Sequence, residues 1–344
     1  MMNFCTLFDS YYIHKGIALY LSLERVCDDF TLYVMAFDEP SYKKLSSLNF
    51  KHMVVEYEGG EFFSDDIKKV KAERKRNEYC WTCGSNITYY FLTKYQLESM
   101  TYVDADMMFF SSPKVVFDEL KPFSVGLSSH FADTELYGKY CVQFCYFKND
   151  EKGLKALTWW KNSCLDWCYD RYEDGKFGDQ RYLDMMPDRF EGVHEIENRG
   201  VGVAKWNMLE YSFLPNHVIS YREKKYDVCF YHFHAVAVEY KEGNIYIASK
   251  KDVIPQSVID TMFKPYGELL KEVYTKYLGK SVNEVIINNP GLGRQILQCL
   301  ENCSEKIGWC NIAFLSTSRV ILDTIRNNYK KAGNDGLPAV DFVS

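Results

Sequence analysis

Short apolar runs alternate with segments of helical periodicity along the first sixty residues of the chain. The runs at 3–8, 31–37 and 51–57 are β-prone, and the second is apolar throughout, as in a strand buried in a parallel sheet. Apolar residues recur at helical spacing over 13–26, and a shorter helix is predicted over 41–48. This β-α-β-α-β order predicts an α/β fold in which helices flank a mostly parallel, doubly wound central sheet.

The pattern becomes more polar after the third strand. A charged stretch over 58–79 precedes a predicted helix at about 85–98, which leads into the strand MTYV. A further strand is predicted within 139–150. A long amphipathic helix is predicted over 149–172, with Asn149 or Asp150 as its N-cap.

The chain changes character near residue 240. The segment 227–240 is the last predicted core strand, and amphipathic helices are predicted beyond it over 263–280 and 320–329. We therefore predict a catalytic-sized domain over 1–240 and a mainly helical C-terminal region over 241–344.

Composition narrows the class of partners. The 344 residues are 47% hydrophobic and 26% charged, which is typical of a soluble globular protein. The net charge of −6 argues against a general nucleic-acid binder, because no basic field dominates. The basic run over 68–76 fits a solvated helix face better than a surface that faces phosphates.

Cysteine usage and the absence of targeting signals predict a cytoplasmic protein. Twelve scattered cysteines accompany no export signal and no apolar stretch of about 18 residues, so we expect free thiols. Cys80 and Cys83 form a C-x-x-C without the second pair of a zinc site, and packing is the preferred interpretation.

Two acids stand inside the apolar run TYVDADMMFF. Asp104 and Asp106 follow a predicted parallel strand, and ligands of open α/β sheets bind at the carboxyl ends of the strands. Buried carboxylates are costly unless they are paired or hold a cation. Two of them at a strand end can share Mn²⁺ or Mg²⁺, which keeps positions open for phosphate oxygens. The alternative is that Asp104 caps the following turn and Asp106 is solvated.

Two further motifs carry groups suited to such a site. His232 and His234 alternate along the last predicted strand, so both face one side, and either can complete a metal shell. The alternative is that each is an ordinary core or surface histidine that binds no metal. In FGDQRYLD, Asp179 and Gln180 are predicted at a helix N-terminus, where the helix favours anionic groups. Asp179 is a candidate base or orienting group, or a plain helix cap.

The ordered set TLFDSYY, TYVDAD, KFGDQRYLD, VAKWN and YHFH resembles the glycosyltransferases of the GT-A fold. It is most similar to the family-8-like, nucleotide-diphospho-sugar transferase group of bacterial surface-polysaccharide clusters. The resemblance covers about residues 3–240. It implies a Rossmann-like GT-A domain and a metal-dependent transfer of a sugar from a nucleotide-sugar, with UDP-hexose expected, to a glycan or a lipid-linked oligosaccharide.

The resemblance also implies roles for particular residues. Asp104 and Asp106, with Ala105 between them, bind Mn²⁺ and the donor diphosphate, and His232 or His234 is the third ligand. The other implied contacts are Asp179 and Gln180 beside the transferred sugar, Thr6, Leu7, Asp9 and Tyr11 at the nucleotide base, Val142 and Gln143 at the sugar, and Trp206 and Asn207 in the acceptor-side loop.

The chain departs from family 8 in two places. HFHAVAVEY lacks the Gly and Lys of the family's H-F-x-G-x-x-K-P-W stretch, and the helix before D-x-D lacks the family's Arg. Arg74 or Arg76 is expected to replace that Arg. The C-terminal helices are expected to contact the acceptor, the inner face of the cytoplasmic membrane or a second copy of the chain.

Three other classes of protein share part of these signals. A sugar-1-phosphate nucleotidyltransferase needs a Gly-rich phosphate loop after the first strand, and LFDSYYIHKG is not one. A phosphatase of the haloacid-dehalogenase type continues D-x-D with Gly and Thr or Val, and DADMMFF does not. A non-catalytic nucleotide-sugar-binding protein is the third class, and metal-dependent donor hydrolysis would exclude it.

Overall fold

The computed structural model describes residues 1–132, 136–249 and 253–289. The strands are β1 (Met2–Phe8), β2 (Phe30–Ala36), β3 (Met53–Tyr57), β4 (Ser99–Val103), β5 (Met107–Phe109), β6 (Val125–Ser129), β7 (Tyr140–Lys148), β8 (Val193–Glu195), β9 (Val203–Ala204), β10 (Ser212–Leu214), β11 (Val218–Tyr221), β12 (Lys224–Asp227), β13 (Phe230–His232), β14 (Val236–Lys241), β15 (Asn244–Ser249) and β16 (Glu284–Asn288).

Helices connect and cover these strands. They are α1 (Ile13–Val26), α2 (Glu39–Leu48), α3 (Asp65–Glu73), α4 (Arg76–Lys94), α5 (Lys114–Leu120), α6 (Glu151–Asp166), α7 (Met186–Arg189), α8 (Gln256–Val258) and α9 (Lys264–Glu272). Short 3₁₀ turns form at Leu183–Met185 and Met208–Glu210, and π-helical turns at Ile259–Phe263 and Val273–Tyr277.

A seven-stranded sheet forms the centre of the fold, in the order β3-β2-β1-β4-β7-β6-β8. The first four of these strands are parallel, β7 is antiparallel to both of its neighbours, and β8 is parallel to β6. The predicted α/β fold with a mostly parallel sheet is therefore confirmed. The carboxyl ends of β1 and β4 lie at the same edge, because the two strands are adjacent and parallel.

Local sequence explains where several helices begin. Asp38, Ser64 and Asp150 are N-caps whose side chains accept a backbone N–H from the residue three positions on, at 2.9, 3.5 and 2.8 Å. The cap at Asp150 confirms the predicted start of α6. Gly153 is required in its first turn, because a Cβ there would lie 2.1 Å from the backbone oxygen of Lys148.

Three sequence predictions of element boundaries were wrong. The polar stretch 58–79 contains α3, and α4 begins at Arg76 rather than near residue 85, since the Glu78 carboxylate accepts the N–H of Lys75 at 2.9 Å and caps that helix. The helix predicted to reach residue 172 ends at Asp166. Asp179 lies on a turn rather than at a helix N-terminus, because Gly178 before it has φ +53°.

The predicted strand 227–240 is two strands. Ala235 has φ +56°, a left-handed conformation that interrupts an extended chain. β13 therefore pairs with β5 and β9, whereas β14 pairs with β15 in a separate sheet. His234 lies in the break, so the argument that it shares a strand face with His232 was wrong.

The described residues within 1–247 and 255–287 form one compact unit. The helix predicted over 263–280 is confirmed by the helical turns between Gln256 and Tyr277, and strands β15 and β16 were not predicted. The helix predicted over 320–329 lies outside the described residues. The predicted domain boundary at residue 240 stays a prediction.

Candidate metal centre

Strand pairing brings the two acids and a histidine together. Asp104 and Asp106 lie in the short link between β4 and β5. β13 runs antiparallel to β5 with His232 opposite Met107, and the N–H of Phe233 donates to the backbone oxygen of Asp106 at 2.9 Å. The link therefore holds the acids beside a histidine that lies 126 residues further along the chain.

The three side chains converge at the carboxyl end of β4. The Nε2 atom of His232 is 3.0 Å from Oδ1 of Asp106 and 3.6 Å from Oδ2 of Asp104. One ligand atom from each residue lies within 4.8 Å of the others. The Tyr102 hydroxyl donates to Oδ1 of Asp104 at 3.1 Å. Two carboxylate oxygens and one imidazole nitrogen fit Mn²⁺ or Mg²⁺, and the imidazole favours Mn²⁺.

Burial and the neighbouring charges shift the pKa values of all three groups. Burial alone would raise the pKa of Asp106, but His232 and Lys15 outweigh it and lower that pKa below its usual range. Burial raises the pKa of Asp104, and the neighbouring Asp106 charge adds to the rise. Burial opposes protonation of His232, yet the two carboxylates outweigh it and raise its pKa. The cluster therefore favours positive charge at its centre.

Gln143 fixes the histidine from behind. Its Oε1 lies 3.0 Å from Nδ1 of His232, and both residues are buried. Because a carboxamide oxygen can only accept, Nδ1 donates, and neutral His232 has its lone pair on Nε2, toward the carboxylates. Metal-binding histidines are usually oriented by such a second hydrogen bond. Val142, its neighbour on β7, packs in the hydrophobic core instead.

Lys15, in the first turn of α1, contacts the opposite oxygen of Asp106. Its Nζ lies 3.7 Å from Oδ2 of Asp106 and donates to the backbone oxygen of Val236 at 2.9 Å. It also lies 4.5 Å from the centroid of the Tyr12 ring. The sequence prediction missed Lys15 and Tyr102. A lysine in the first turn of the helix that follows β1 was the signal that was available.

Asp179 is buried near Asp104. The indole N–H of Trp160 donates to the backbone oxygen of Asp179 at 2.9 Å and fixes the turn. Burial raises the pKa of the Asp179 carboxyl well above its usual value, and the negative charge of Asp104 adds to the effect. The neighbouring Gln180 donates from Nε2 to the backbone oxygen of Tyr137 at 2.7 Å. Asp179 is thus electrostatically coupled to the cluster, whereas the Gln180 amide is directed to the 136–138 segment.

The residues predicted to contact a nucleotide base lie at the end of β1. Thr6 and Leu7 are buried, and Oγ1 of Thr6 has no partner within the part of the chain that the structure describes. Asp9 accepts the N–H groups of Tyr11 and Tyr12 at 3.0 and 3.3 Å and pairs with Arg76, and Tyr11 is 72% exposed. The structure thus brings Asp9 and Arg76 together.

Arg74, the alternative to Arg76, is directed elsewhere. Its buried guanidinium donates to the hydroxyl of Thr82 and to the backbone oxygens of Cys164 and Leu165. It ties α4 to α6 in the interior, so Arg76 is the one of the two that lies at the end of β1.

The 203–207 loop covers one side of the histidine. The ring centroid of Trp206 lies 5.4 Å from that of His232 and 5.7 Å from that of His234. Asn207 is buried, and its amide holds the loop through the N–H of Ala204 and the backbone oxygens of Gly202 and His130. His234 is exposed and lies outside the three-residue cluster.

The strand order and the position of the acids define a protein class by fold. The chain is similar in structure to the galactosyltransferase LgtC, solved with donor and acceptor sugar analogs, with a TM-score of 0.50 and 12% identity. The match covers 79% of this chain and 96% of LgtC. The fold is therefore that of the GT-A glycosyltransferases.

The sequence is similar to two proteins of Bacillus subtilis (strain 168). It is 32% identical to the uncharacterized protein YfnF over 244 residues, covering 67% of this chain and 80% of YfnF. It is 28% identical to the uncharacterized protein YfnD over 253 residues, covering 71% and 81%. The chain belongs to the family of YfnF. No family model matches it.

Among the described residues, no helix combines the length and the apolar character needed to cross a bilayer.

Proposed function

We propose that this protein is a metal-dependent glycosyltransferase that moves a hexose from a nucleoside-diphosphate sugar, with UDP-hexose expected, to a glycan or lipid-linked acceptor. One observation carries the proposal. Asp104, Asp106 and His232 form a cluster with the donor set of a divalent-metal site at the carboxyl end of β4, on a GT-A fold. That end of a parallel strand is where ligands of open α/β sheets bind.

The residues present fit a hard divalent cation. The Nε2 lone pair of His232 is directed toward the carboxylates by Gln143, and Asp106 is held ionised. Bound by these three residues, Mn²⁺ would neutralise charge on the leaving diphosphate as a Lewis acid. The protein's own contribution is to hold the three ligands in place before the donor arrives, so that no reorganisation is needed during the reaction.

Asp179 is proposed to contact the transferred sugar. Its raised pKa favours the protonated carboxyl, which donates a hydrogen bond to a sugar hydroxyl as well as accepting one. Such a contact would orient the donor against the acceptor without adding a third negative charge to the site. Gln180 is proposed to act at the same place through its turn.

The nucleotide base is proposed to lie at the end of β1, against Thr6, Leu7, Asp9 and Tyr11, with Arg76 beside them. The exposed Tyr11 ring offers a stacking surface, and Asp9 offers a carboxylate acceptor. Trp206 is proposed to face the acceptor, with Asn207 holding its loop. A lipid-linked acceptor would place the reaction at the cytoplasmic face of a membrane.

The test is the release of nucleoside diphosphate from a panel of nucleotide-sugars, with and without Mn²⁺. We expect Mn²⁺-dependent turnover of one donor by the wild type. Asp106→Asn should lower that rate by about 100-fold or more, since metal-site substitutions of this kind remove a charged ligand. Asp118→Asn is the matched control, because Asp118 is a surface acid that pairs only with Lys114 and Lys121 in the described structure.

Each result has a distinct meaning. Turnover that is lost in Asp106→Asn and kept in Asp118→Asn supports the transferase and names the sugar. Binding of a donor without turnover would favour the non-catalytic binding protein, and formation of a nucleotide-sugar from a sugar phosphate would favour the nucleotidyltransferase.

A further inference from the structure

Lys15 is a buried cation at a site that is proposed to bind another cation. Its side chain is only 5% exposed, and that of Asp106 is 12% exposed. The ammonium group is held from three directions, by the carboxylate of Asp106, the backbone oxygen of Val236 and the face of the Tyr12 ring. Burying a lysine is costly, so a position this well partnered calls for an explanation beyond packing.

The two oxygens of Asp106 face different partners. Oδ1 lies 3.0 Å from His232, inside the metal cluster, whereas Oδ2 lies 3.7 Å from the Lys15 ammonium. A carboxylate that is held in this way offers one oxygen to the cluster rather than two. A divalent cation would then keep more of its coordination positions for other oxygen ligands.

The charge balance points the same way. The two carboxylates offset the charge of a divalent cation and a neutral imidazole adds none, which leaves a neutral site. The Lys15 charge makes the loaded site positive by one, and a positive site attracts the two negatively charged phosphates of a nucleoside diphosphate. The same charge repels the metal ion when no nucleotide is present.

We propose that Lys15 has opposite effects on the two ligands of this site. It weakens metal binding, and it strengthens the binding of a nucleoside diphosphate to the metal-loaded site. The inference rests on the proposed function, because it takes Asp104, Asp106 and His232 as the metal ligands. Lys15 is a positioning residue in this account, acting through Asp106 and through its charge.

The experiment titrates the full-length protein with Mn²⁺ alone, and then titrates the Mn²⁺-saturated protein with UDP, GDP and ADP in turn. Lys15→Met removes the charge at similar length. Lys15→Gln also removes it but keeps a donor for the backbone oxygen of Val236, so it remains informative if Lys15→Met does not fold. Lys15→Arg keeps the charge and is the matched control.

We expect opposite changes in the two affinities. In Lys15→Met and Lys15→Gln, the Kd for Mn²⁺ should fall about tenfold, and the Kd for the preferred nucleoside diphosphate should rise about tenfold, as expected for one nearby charge in a partly screened site. Lys15→Arg keeps the charge, so it should change neither Kd by more than about threefold. A purely structural role for Lys15 would weaken both affinities together.

Three results would overturn the proposal. The neutral variants could bind Mn²⁺ and nucleotide as the wild type does, or they could lose both affinities together. In either case Lys15 does not have opposite effects on the two affinities, and the proposed transferase is unaffected. If the wild type binds no Mn²⁺, both the role of Lys15 and the proposed metal-dependent transfer fail.

Discussion

Individual hydrogen bonds and ion pairs decide which atoms of the cluster face a ligand. The Gln143 oxygen selects the hydrogen position on His232, and the two oxygens of Asp106 are divided between His232 and Lys15. A metal site of three ligands depends on such neighbours, because each ligand must present a lone pair in the right direction.

The Gln143 contact makes a quantitative prediction. Gln143→Met keeps the volume but removes the acceptor, so His232 loses its fixed hydrogen position and the Kd for Mn²⁺ should rise about 10–100-fold. Gln143→Glu keeps an acceptor at the same place and adds a negative charge beside the cluster, so it should bind Mn²⁺ at least as tightly as the wild type. Titration of both variants with Mn²⁺ measures this, and equal affinities in Met and Glu variants would contradict the role.

A second buried histidine makes stability depend on pH. His14 packs against Tyr274, and its Nε2 has no hydrogen-bond partner in the described part of the chain. Burial, followed by the charge of Lys15, lowers its pKa from 6.5 to about 3. Between those values the unfolded chain binds a proton that the folded chain does not, so stability is lost as the pH falls from about 6.5.

From pH 7 to pH 5, this histidine alone should cost about 2 kcal/mol of unfolding free energy. Urea denaturation of the wild type and of His14→Phe at both pH values measures the effect. The Phe variant should lose less stability than the wild type by about that amount. Equal losses in the two proteins would show that His14 is not the group responsible.

At the level of elements, the site is assembled by two breaks in regular structure. The short link between β4 and β5 exposes the acids at a strand end, and the left-handed Ala235 ends the chain's extended run just after His232. The position of the acids at a strand end was predicted from the sequence, because an acidic pair inside an apolar run is a local signal. The break was not, because FHAVAV has the composition of a continuous strand.

The break at Ala235 can be tested with a matched pair of substitutions. Ala235→Val puts a β-branched residue at φ +56° and should cost about 1–2 kcal/mol of unfolding free energy. Ala237→Val makes the same chemical change at an exposed position of β14, where extended backbone suits valine, and should be neutral or slightly stabilising. Thermal or urea unfolding compares the two, and a neutral Ala235→Val would argue against the strained turn.

At the scale of the whole molecule, features set by residues close together in the sequence could be predicted, whereas contacts between distant residues could not. The periodicities of the first sixty residues predicted the parallel sheet, since each βαβ unit is defined by neighbouring residues. The acidic pair, and His232 or His234, were also named as candidate site residues from motifs. By contrast, the contacts of Gln143 with His232 and of Lys15 with Asp106 join residues 89 and 91 positions apart, which no local pattern reveals.

The same distinction explains the boundary errors. The side chain of Asp150 itself marks the start of α6, but the end of that helix at Asp166 depends on a residue that is distant in the sequence. Arg74 is that residue, because its guanidinium donates hydrogen bonds to backbone oxygens of α6. From the sequence it was a candidate for the site.

The pairing of β5 with β13 has a consequence for the stability of the folded protein. The cluster draws its ligands from positions 126 residues apart, so a bound ion would act as a noncovalent crosslink that closes a very long loop. Such a crosslink forms only in the native chain, and by mass action it would favour the folded over the unfolded population. The three side chains would thus serve as a clasp on the domain as well as a site for chemistry.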